Sequence, residues 1–431
     1  METKHNKKSG IQTYQELSDF EYHAKKLLNT STEDFVVIQI DIDGFKTLNN
    51  TYGEEKCDRL LKFIQDFIIS AGQYSDGCLY RFIDTFTIIL SYTTHNTLIG
   101  LIKHWCRKLN TFEDISFRVS VGIYFIEDKS LSMNIMLDHA ATARKSVKNN
   151  ALRCVCTYTP KLQSEVDTVN LIENDMYKAL KNKEFVLYLQ PKYDIFENKI
   201  VGAEALIRWI TPEGKMVMPG EFIPIFERNG FVVKTDRFIW REVCKLIKRW
   251  KQNGVEIPVS INVSRCNLFD NEFISYLSKL IEKYEIPHEL LEIEITESYD
   301  QSLSPKIFEK LKQKGFTLLM DDFGSGYSTL NTLHSSDFDV IKLDKEFLSH
   351  FMDNARGKQI IRHTISMIQD IGLEVVAEGV ETIDQAQFLK NNGCKIVQGF
   401  LYSKPLPVNE FEELMERQSN GIEVVSVEDK E

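Results

Sequence analysis

The feature that most constrains the fold is an alternation of short apolar runs with amphipathic stretches through the second half of the chain. Eight runs have the composition and length of β-strands, at residues 185–189, 200–205, 258–263, 291–295, 317–320, 340–343, 374–377 and 396–400. Helices are predicted in most of the gaps, at residues 236–253, 271–284, 304–314, 356–371 and 383–391. This order predicts a (β/α)8 barrel, in which functional sites lie at the carboxyl ends of the strands.

Polar residues recur where the predicted barrel strands end. They are Glu204, Asn262, Glu294, Asp321 with Asp322, Lys342, Glu378 and Gln398. Each one alone has an ordinary explanation, such as a solvent-facing acid or a loop cap. Their joint occurrence on successive strands predicts one site at one end of the barrel.

The residue types of this predicted site favour hard cations. Carboxylates and one amide, with no histidine or cysteine beside them, select Mg²⁺ or Mn²⁺ over zinc. Several acids gathered without a cation would repel one another. Two ions roughly 3.5–4 Å apart would hold a water for in-line attack on a phosphodiester. Lys342 is then predicted to deprotonate or orient that water, and Glu378 to anchor a metal or tune the lysine.

The first half has a different pattern. Single strands are predicted at residues 35–42, 117–126 and 154–158, two strands with a turn between them at 78–90, and helices at 55–70, 96–109 and 133–148. The predicted fold class is therefore α/β, a palm-like domain followed by a TIM-like barrel. Periodicity lapses at Pro160, and a helix predicted at 169–181 leads into the barrel. The predicted boundaries are 1–30 for an N-terminal helix or linker, 31–160 for the palm-like domain, 165–415 for the barrel and 416–431 for an acidic C-terminal tail.

Composition narrows the class of protein. A length of 431 residues predicts two domains, and a net charge of −11 argues against general binding to nucleic acid polymers or anionic membranes. The eight cysteines lack CxxC or zinc-site spacing, which favours reduced thiols. No run approaches the ~18 apolar residues of a membrane span. These observations predict a cytoplasmic protein without a membrane segment.

The segment EALIRW at 204–209 resembles the signature that names the EAL domain, a phosphodiesterase that opens cyclic di-GMP. The resemblance covers residues 170–412. It extends through further motifs in the same order, at 190–191, 260–264, 294–298, 321–328, 341–344, 377–381 and 398–400. It implies a metal-dependent enzyme that hydrolyses cyclic di-GMP to linear pGpG, a first barrel strand antiparallel to the others, and a homodimer. The alternative is a receptor that binds cyclic di-GMP without cleaving it and signals through a protein partner.

The resemblance also implies a role for each matching residue. Two Mg²⁺ or Mn²⁺ ions would be held by Glu204, Asn262, Glu294, Asp321, Asp322 and Glu378, with Lys342 assisting the attacking water. Gln190, Arg208 and Gln398 would contact substrate or order the site, and Glu381 would contact substrate or orient the groups that do. The guanidinium of Arg208 has the fork that suits a phosphate. The loop after the fifth strand would depend on Glu297, Gly324 and Gly326.

The first domain resembles the GGDEF domain, which makes cyclic di-GMP from GTP. The resemblance rests on the segment DIDGFK at 41–46, on Asn49 and on Asp58, positions associated with metal and guanine contacts. The signature hairpin, Arg-x-Gly-Gly-Asp-Glu-Phe, is replaced by RFIDTF at 81–86. Ile83 suits a close phosphate approach or a positive φ poorly, and no glutamate follows Asp84. We therefore expect no cyclase activity, and either a GTP-binding regulator or a scaffold.

Overall fold

The computed structural model of the chain describes residues 10–73, 75–150, 152–270, 272–296, 306–324, 338–352 and 354–419. It divides into two compact units, Met1–Leu171 and Ile172–Glu431.

The first unit contains a mixed sheet that, among its described residues, has six strands in the order β1-β3-β4-β2-β7-β8, and a separate hairpin of β5 and β6. The strands are β1 (Ile11–Tyr14), β2 (Asp34–Ile42), β3 (Gly77–Phe82), β4 (Thr85–Tyr92), β5 (Thr111–Phe112), β6 (Ile115–Ser116), β7 (Val119–Phe125) and β8 (Val155–Thr157). Strand β2 is buried along its length except at Asp34, because it lies between β4 and β7 and is covered on both faces.

Helices cover both faces of this sheet and give the unit two apolar clusters. They are α1 (Leu17–Thr30), α2 (Phe45–Tyr52), α3 (Glu54–Ala71), α4 (His95–Lys108) and α5 (Met133–Val147). Helix α5 approaches β7 closely at Gly122, where an added Cβ would collide with the backbone of Ala140 and Arg144. This close approach brings the last turns of α5 over β2, which pairs with β7 in the sheet.

The short hairpin of β5 and β6, strand β1 and helix α2 were not predicted. Residues 1–30 were expected to form a helix or linker, but β1 pairs in parallel with β3 before α1 begins. Only Ile11 of this four-residue strand is buried, so its sequence carries no alternating signal. Helix α2 was missed because it buries none of its residues.

Helix α6 (Pro160–Asn182) contains the division between the two units. The sequence predicted an interruption at Pro160 and a helix only from residue 169. Instead, Pro160 is the first residue of one continuous helix. Proline is tolerated there because the first N–H groups of a helix have no intrahelical partner.

The second unit is the predicted barrel. In its described part, eight strands close a cylinder: β9 (Phe185–Asp194), β10 (Lys199–Ile210), β12 (Val259–Asn262), β13 (Leu291–Thr296), β14 (Leu318–Phe323), β15 (Val340–Leu343), β16 (Glu374–Ala377) and β17 (Ile396–Val397). Short strands β11 (Met216–Val217) and β18 (Leu406–Pro407) add to β10 and β9. Strand β9 is antiparallel to both of its barrel neighbours, β10 and β17. The fold class and the antiparallel first strand are thus confirmed.

The helices of the barrel pack around the strands and share one large apolar core with them. They are α7 (Pro219–Asn229), α8 (Val232–Gln252), α9 (Arg265–Leu268), α10 (Phe273–Tyr284), α11 (Lys306–Gln313), α12 (Lys345–Met352), α13 (Ala355–Asp370), α14 (Ile383–Asn391) and α15 (Val408–Ser419), with a 3₁₀ turn at His288–Leu290. Side chains alternate along each strand, so one set faces these helices and the other fills the cylinder. The inward set contains a small apolar cluster of Leu319, Val340 and Val376. The remaining space holds charged side chains.

Candidate active site

A buried lysine lies at the centre of the predicted site. Lys342 faces the barrel interior two residues after Val340 and has no exposed surface. Its Nζ lies 2.5 Å from Glu378, 2.7 Å from Glu294, 3.0 Å from Asp321 and 3.3 Å from Glu204. Burial favours the neutral amine, but the surrounding acids outweigh it and raise the pKa of Lys342 well above its usual value.

The strands bring these residues together in register. Asn262 pairs with Glu294 across β12 and β13, and Thr296 pairs with Asp321 across β13 and β14. Glu378 follows the end of β16 directly. Glu204 was expected at the end of its strand, but β10 continues to Ile210 because it pairs with the long strand β9. The carboxylate of Glu204 therefore enters the cluster from the middle of a strand.

Glu204 is the most connected acid of the cluster. Its Oε1 accepts a hydrogen bond from Asn262 Nδ2 at 3.0 Å. Its Oε2 accepts from Gln398 Nε2 at 2.6 Å and from Lys342 Nζ at 3.3 Å. Gln398 Nε2 also donates to Gln190 Oε1 at 3.0 Å. Gln190 and Gln398, predicted to contact substrate or order the site, therefore hold Glu204 in its orientation.

The acids of the cluster differ in how easily they ionise. Burial, followed by repulsion from Glu294, raises the pKa of Glu204, and burial also raises the pKa of Asp321. Burial raises the pKa of Glu378 to about 8. At Glu294, burial is outweighed by Lys342 and Lys192, and the pKa falls to about 2. Glu294 is thus the acid most firmly held in its charged form.

The charge balance of the cluster fits a divalent cation. Within the described residues, four carboxylates surround one ammonium group. The atoms that could coordinate a metal are all oxygens, including the amide oxygen of Asn262. The ammonium of Lys342 stands between the carboxylates, and no group of three or more histidine, cysteine or acidic residues in the described ranges is arranged around a vacant metal position. The types of ligand atom suit the ion, but the described arrangement does not form a metal site, so the assignment of these residues as ligands stays a prediction.

Asp322 departs from ordinary strand geometry. Its φ of 59° lies in the left-handed region, and the pairing of β14 with β15 shifts register between Met320 and Phe323. The N–H of Asp322 donates to Asp321 Oδ1 at 3.0 Å. A non-glycine residue held in this region costs about 1 kcal/mol or more, and such strain concentrates at functional sites.

The predicted loop anchors and substrate contacts are distributed around the cluster. Gly324 follows β14 with φ 96°, and an added Cβ would collide with the ring of Phe347. Glu297 and Gly326 lie outside the described residues. Arg208 Nη1 donates to Ile207 O at 2.9 Å, and burial lowers the pKa of this guanidinium. Glu381 is half-exposed and forms an ion pair with Lys345 at 2.6 Å, away from the buried acids.

A cavity of about 240 Å³ adjoins the cluster between β10, β12 and α8. Arg208 and Asn262 line it together with Asp236, which the sequence analysis did not single out. Asp236 accepts hydrogen bonds from Ser264 N at 3.3 Å and Asn267 Nδ2 at 2.7 Å, and burial raises its pKa to about 7. The sequence feature that could have identified Asp236 is its position on α8, because it is an acid beside the buried face formed by residues such as Thr235 and Ile239.

The predicted GTP site of the first domain has a different environment. Asp41 is 2% exposed, and its Oδ2 is bound by the guanidinium of Arg144 and by Lys148 Nζ at 2.7 Å. Both cations belong to the end of α5. Asn49 lies on α2 and the exposed Asp58 on α3. The carboxylate predicted to hold a metal thus already carries two cationic partners from the protein.

The altered hairpin is a two-residue turn at Ile83 and Asp84, since Phe82 pairs with Thr85. Ile83 adopts φ 55° despite its branched Cβ, and the Arg81 guanidinium donates to its carbonyl at 3.1 Å. The turn therefore reaches a positive φ without the glycines of the family signature.

Comparison with known families agrees with this geometry. Residues 173–405 match the family described as EAL domain. The chain belongs to the EAL domain family. Residues 17–153 match the family described as diguanylate cyclase, GGDEF domain, so a GGDEF domain precedes the EAL barrel.

Named relatives match this chain over most of its length. The chain is 28% identical over 393 residues to the cyclic di-GMP phosphodiesterase PdeR of Escherichia coli, covering 88% of this chain and 59% of that protein. It is 32% identical over 413 residues to the signaling protein YkoW of Bacillus subtilis, covering 91% and 51%. The chain thus spans about half the length of the curated relatives it matches.

A solved structure supports the barrel in particular. It is titled PaMucR phosphodiesterase, c-di-GMP complex, and is 29% identical with a TM-score of 0.54. The match covers 56% of this chain and 99% of that one. Separately, no helix in the described residues combines the length and apolar character needed to cross a membrane.

Proposed function

We propose that the EAL barrel is a metal-dependent phosphodiesterase that hydrolyses cyclic di-GMP to linear pGpG. The observation that carries the proposal is the Lys342 cluster, in which oxygen donors from successive strands meet around one buried ammonium group. The relatives named as cyclic di-GMP phosphodiesterases and the solved complex supply the substrate class.

The predicted ligands for two Mg²⁺ or Mn²⁺ ions are Glu204, Asn262, Glu294, Asp321, Asp322 and Glu378. Bound there, the ions would lower the pKa of a water and neutralise charge on the phosphate. In the reaction, a water oxygen bonds to phosphorus, the P–O3′ bond breaks, and the departing oxygen takes a proton to become the 3′-hydroxyl. The water loses a proton in exchange, which leaves a 5′-phosphate on the linear product.

Lys342 is proposed to act as a fixed cation. Its raised pKa keeps the ammonium charged at neutral pH, so it can hold the carboxylates in place and oppose the negative charge that develops at the phosphate. Glu378 contacts Lys342 at 2.5 Å and has a partly exposed side chain, which suits it to anchor a metal or to tune the lysine.

Substrate recognition is proposed for the cavity beside the cluster. Arg208 offers donors to a phosphate, and Asp236 offers a buried carboxyl for the N–H groups of a purine edge. Gln190 and Gln398 would then keep Glu204 oriented while substrate binds.

The decisive assay incubates the purified chain with cyclic di-GMP and Mg²⁺ or Mn²⁺, and follows the linear product by chromatography. We expect product with either metal and none after chelation. Binding of cyclic di-GMP without product in both metals would overturn the enzyme and favour the receptor alternative. Lys342→Ala should lose turnover while keeping metal and substrate binding, and a wild-type rate would refute its role.

We propose that the GGDEF domain is non-catalytic. Arg144 and Lys148 both pair with Oδ2 of Asp41, and the hairpin lacks both glycines and the second acid. The domain could act as a GTP-binding regulator or as a scaffold that does not need GTP, and the ion pairs of Asp41 favour the scaffold. Saturating GTP should leave the phosphodiesterase rate unchanged. A faster rate together with calorimetric GTP binding would assign a regulator instead.

We also propose that the protein is a homodimer, because the resemblance to the EAL family implies one. We propose that it is cytoplasmic, because its eight cysteines, all within the described residues, form no disulfide. Analytical ultracentrifugation tests the dimer, since a sedimenting monomer at micromolar concentration would contradict it.

A further inference from the structure

A second lysine is buried inside the barrel, below the Lys342 cluster. Lys192 on β9 is 4% exposed, and its Nζ lies 2.7 Å from Glu292 Oε2 and 3.3 Å from Glu294 Oε1. Glu292 and Glu294 are two residues apart on β13 and therefore point to the same side of the strand. The ammonium of Lys192 thus lies between an acid of the site and an acid one layer deeper.

The neighbouring strands leave room for this lysine. Lys192 pairs in register with Gly202 of β10. A Cβ at Gly202 would lie 3.5 Å from Lys192 Cδ, an ordinary contact, and 3.2 Å from Pro258 O, a tight one. Gly202 therefore presents only backbone to the stem of the lysine.

Glu294 has a buried ammonium group beside each of its oxygens. Lys342 Nζ donates to Oε2 at 2.7 Å, whereas Lys192 Nζ approaches Oε1 at 3.3 Å without the geometry of a hydrogen bond. The interaction of Glu294 with Lys192 is therefore one of charge. A substitution of either lysine therefore changes the electrostatic environment of Glu294, a predicted metal ligand.

We infer that the opposed charges of the Lys192–Glu292 pair set the affinity of the site around Glu294 for divalent cations. The inference rests on the proposed function, because Glu294 is a predicted metal ligand. The charge of Lys192 repels an incoming cation, and the charge of Glu292 attracts it. Charges this close to a buried site are weakly screened.

The test titrates the full-length protein with Mn²⁺ alone by calorimetry. Lys192→Met removes a positive charge and should tighten Mn²⁺ binding by roughly three- to tenfold, whereas Glu292→Gln should weaken it by a similar factor. The double variant K192M/E292Q and the conservative K192R should both stay within about twofold of wild type. Glu204→Gln identifies the barrel site, because it should remove that binding isotherm.

Lys395→Met is the matched control. Lys395 forms an ion pair with Asp194 at 3.2 Å but is 59% exposed, so the same charge change there should not alter Mn²⁺ binding. Thermal unfolding of each variant shows that it is folded. If Lys192→Met does not fold, Glu292→Gln and Lys192→Arg still decide the matter.

Opposite shifts for Lys192→Met and Glu292→Gln support the inference. Weaker binding in both, as simple disruption of packing would produce, overturns it, and so do unchanged affinities. These outcomes leave the proposed phosphodiesterase intact. Absence of any Mn²⁺ binding by the wild-type protein would overturn the metal requirement of the proposed function and this inference with it.

Discussion

The two domains place buried acids beside cations, but with different charge balance. In the described part of the barrel, four carboxylates converge on Lys342, so negative charge is in excess. In the GGDEF domain, Asp41 receives Arg144 and Lys148, and the same two cations also attract the neighbouring Asp84 carboxyl, so the charges are close to balanced. Buried charge is stable only when it is compensated. The first arrangement invites an added cation, and the second already supplies its own.

The largest effect expected is on catalysis. Glu204→Gln should lower cyclic di-GMP hydrolysis by about 10³-fold or more, because it removes a predicted metal ligand that also accepts bonds from Asn262 and Gln398. Steady-state assays in saturating Mn²⁺ measure the loss. Glu113→Gln, the same change at a surface ion pair of the GGDEF domain, should keep the wild-type rate. Residual activity of the Glu204 variant above one tenth of wild type would remove Glu204 from the ligand set.

The next effect tests the excess of acids around Lys342. Lys342→Met leaves the carboxylates without their common partner, and should destabilise the metal-free barrel by roughly 3–5 kcal/mol. Mg²⁺ or Mn²⁺ should then stabilise the variant more than the wild type, as measured by denaturant unfolding with chelator or metal. Lys245→Met, at an exposed pair with Glu242, should have little effect. Equal metal dependence in variant and wild type would contradict the proposed balance.

The corresponding change in the GGDEF domain removes both partners of Asp41. The double variant R144M/K148M should lower the stability of that domain by roughly 3 kcal/mol, because a buried carboxylate loses its compensation. Divalent cations should recover part of the loss, although they leave the wild-type domain unchanged. Lys145→Met, an exposed neighbour on α5, is the control. A variant as stable as wild type would show that the ion pairs contribute nothing.

The smallest effect concerns pH and Asp236. Folded protein keeps this carboxyl protonated to about pH 7, whereas the unfolded chain releases the proton near pH 4. The folded state therefore binds more protons in this window, and the group's contribution to stability falls as pH rises from about 4 to about 7.

Asp236→Asn removes this titration while keeping an amide oxygen as acceptor. It should raise stability at about pH 8.5 by on the order of 2 kcal/mol and change it little at about pH 4. Unfolding curves at both pH values measure the difference, with the exposed Asp384→Asn as control. An unchanged pH dependence would show that Asp236 is ionised in the folded barrel.

Much of the barrel was predictable because its signals are local. Strand periodicity and helix amphipathicity specified the eight strands, and predicted helix 383–391 coincides with α14. The bounds of Lys342's strand were also correct. The misses have physical causes: β1 has one buried side chain, α2 has none, and Pro160 occupies the one helical position where proline costs little.

The sequence by itself determined the class of fold, the family, and which residues gather at one end of the barrel, because strand order and side-chain alternation are written in local patterns. Only the tertiary structure decided the partners of each charge. Lys192 contacts Glu292, which lies 100 positions further along the chain, and it also contacts Glu294 on the same strand. Arg144 contacts Asp41 because α5 approaches β7 at Gly122. Such pairings depend on register, depth and helix approach, which no local window contains.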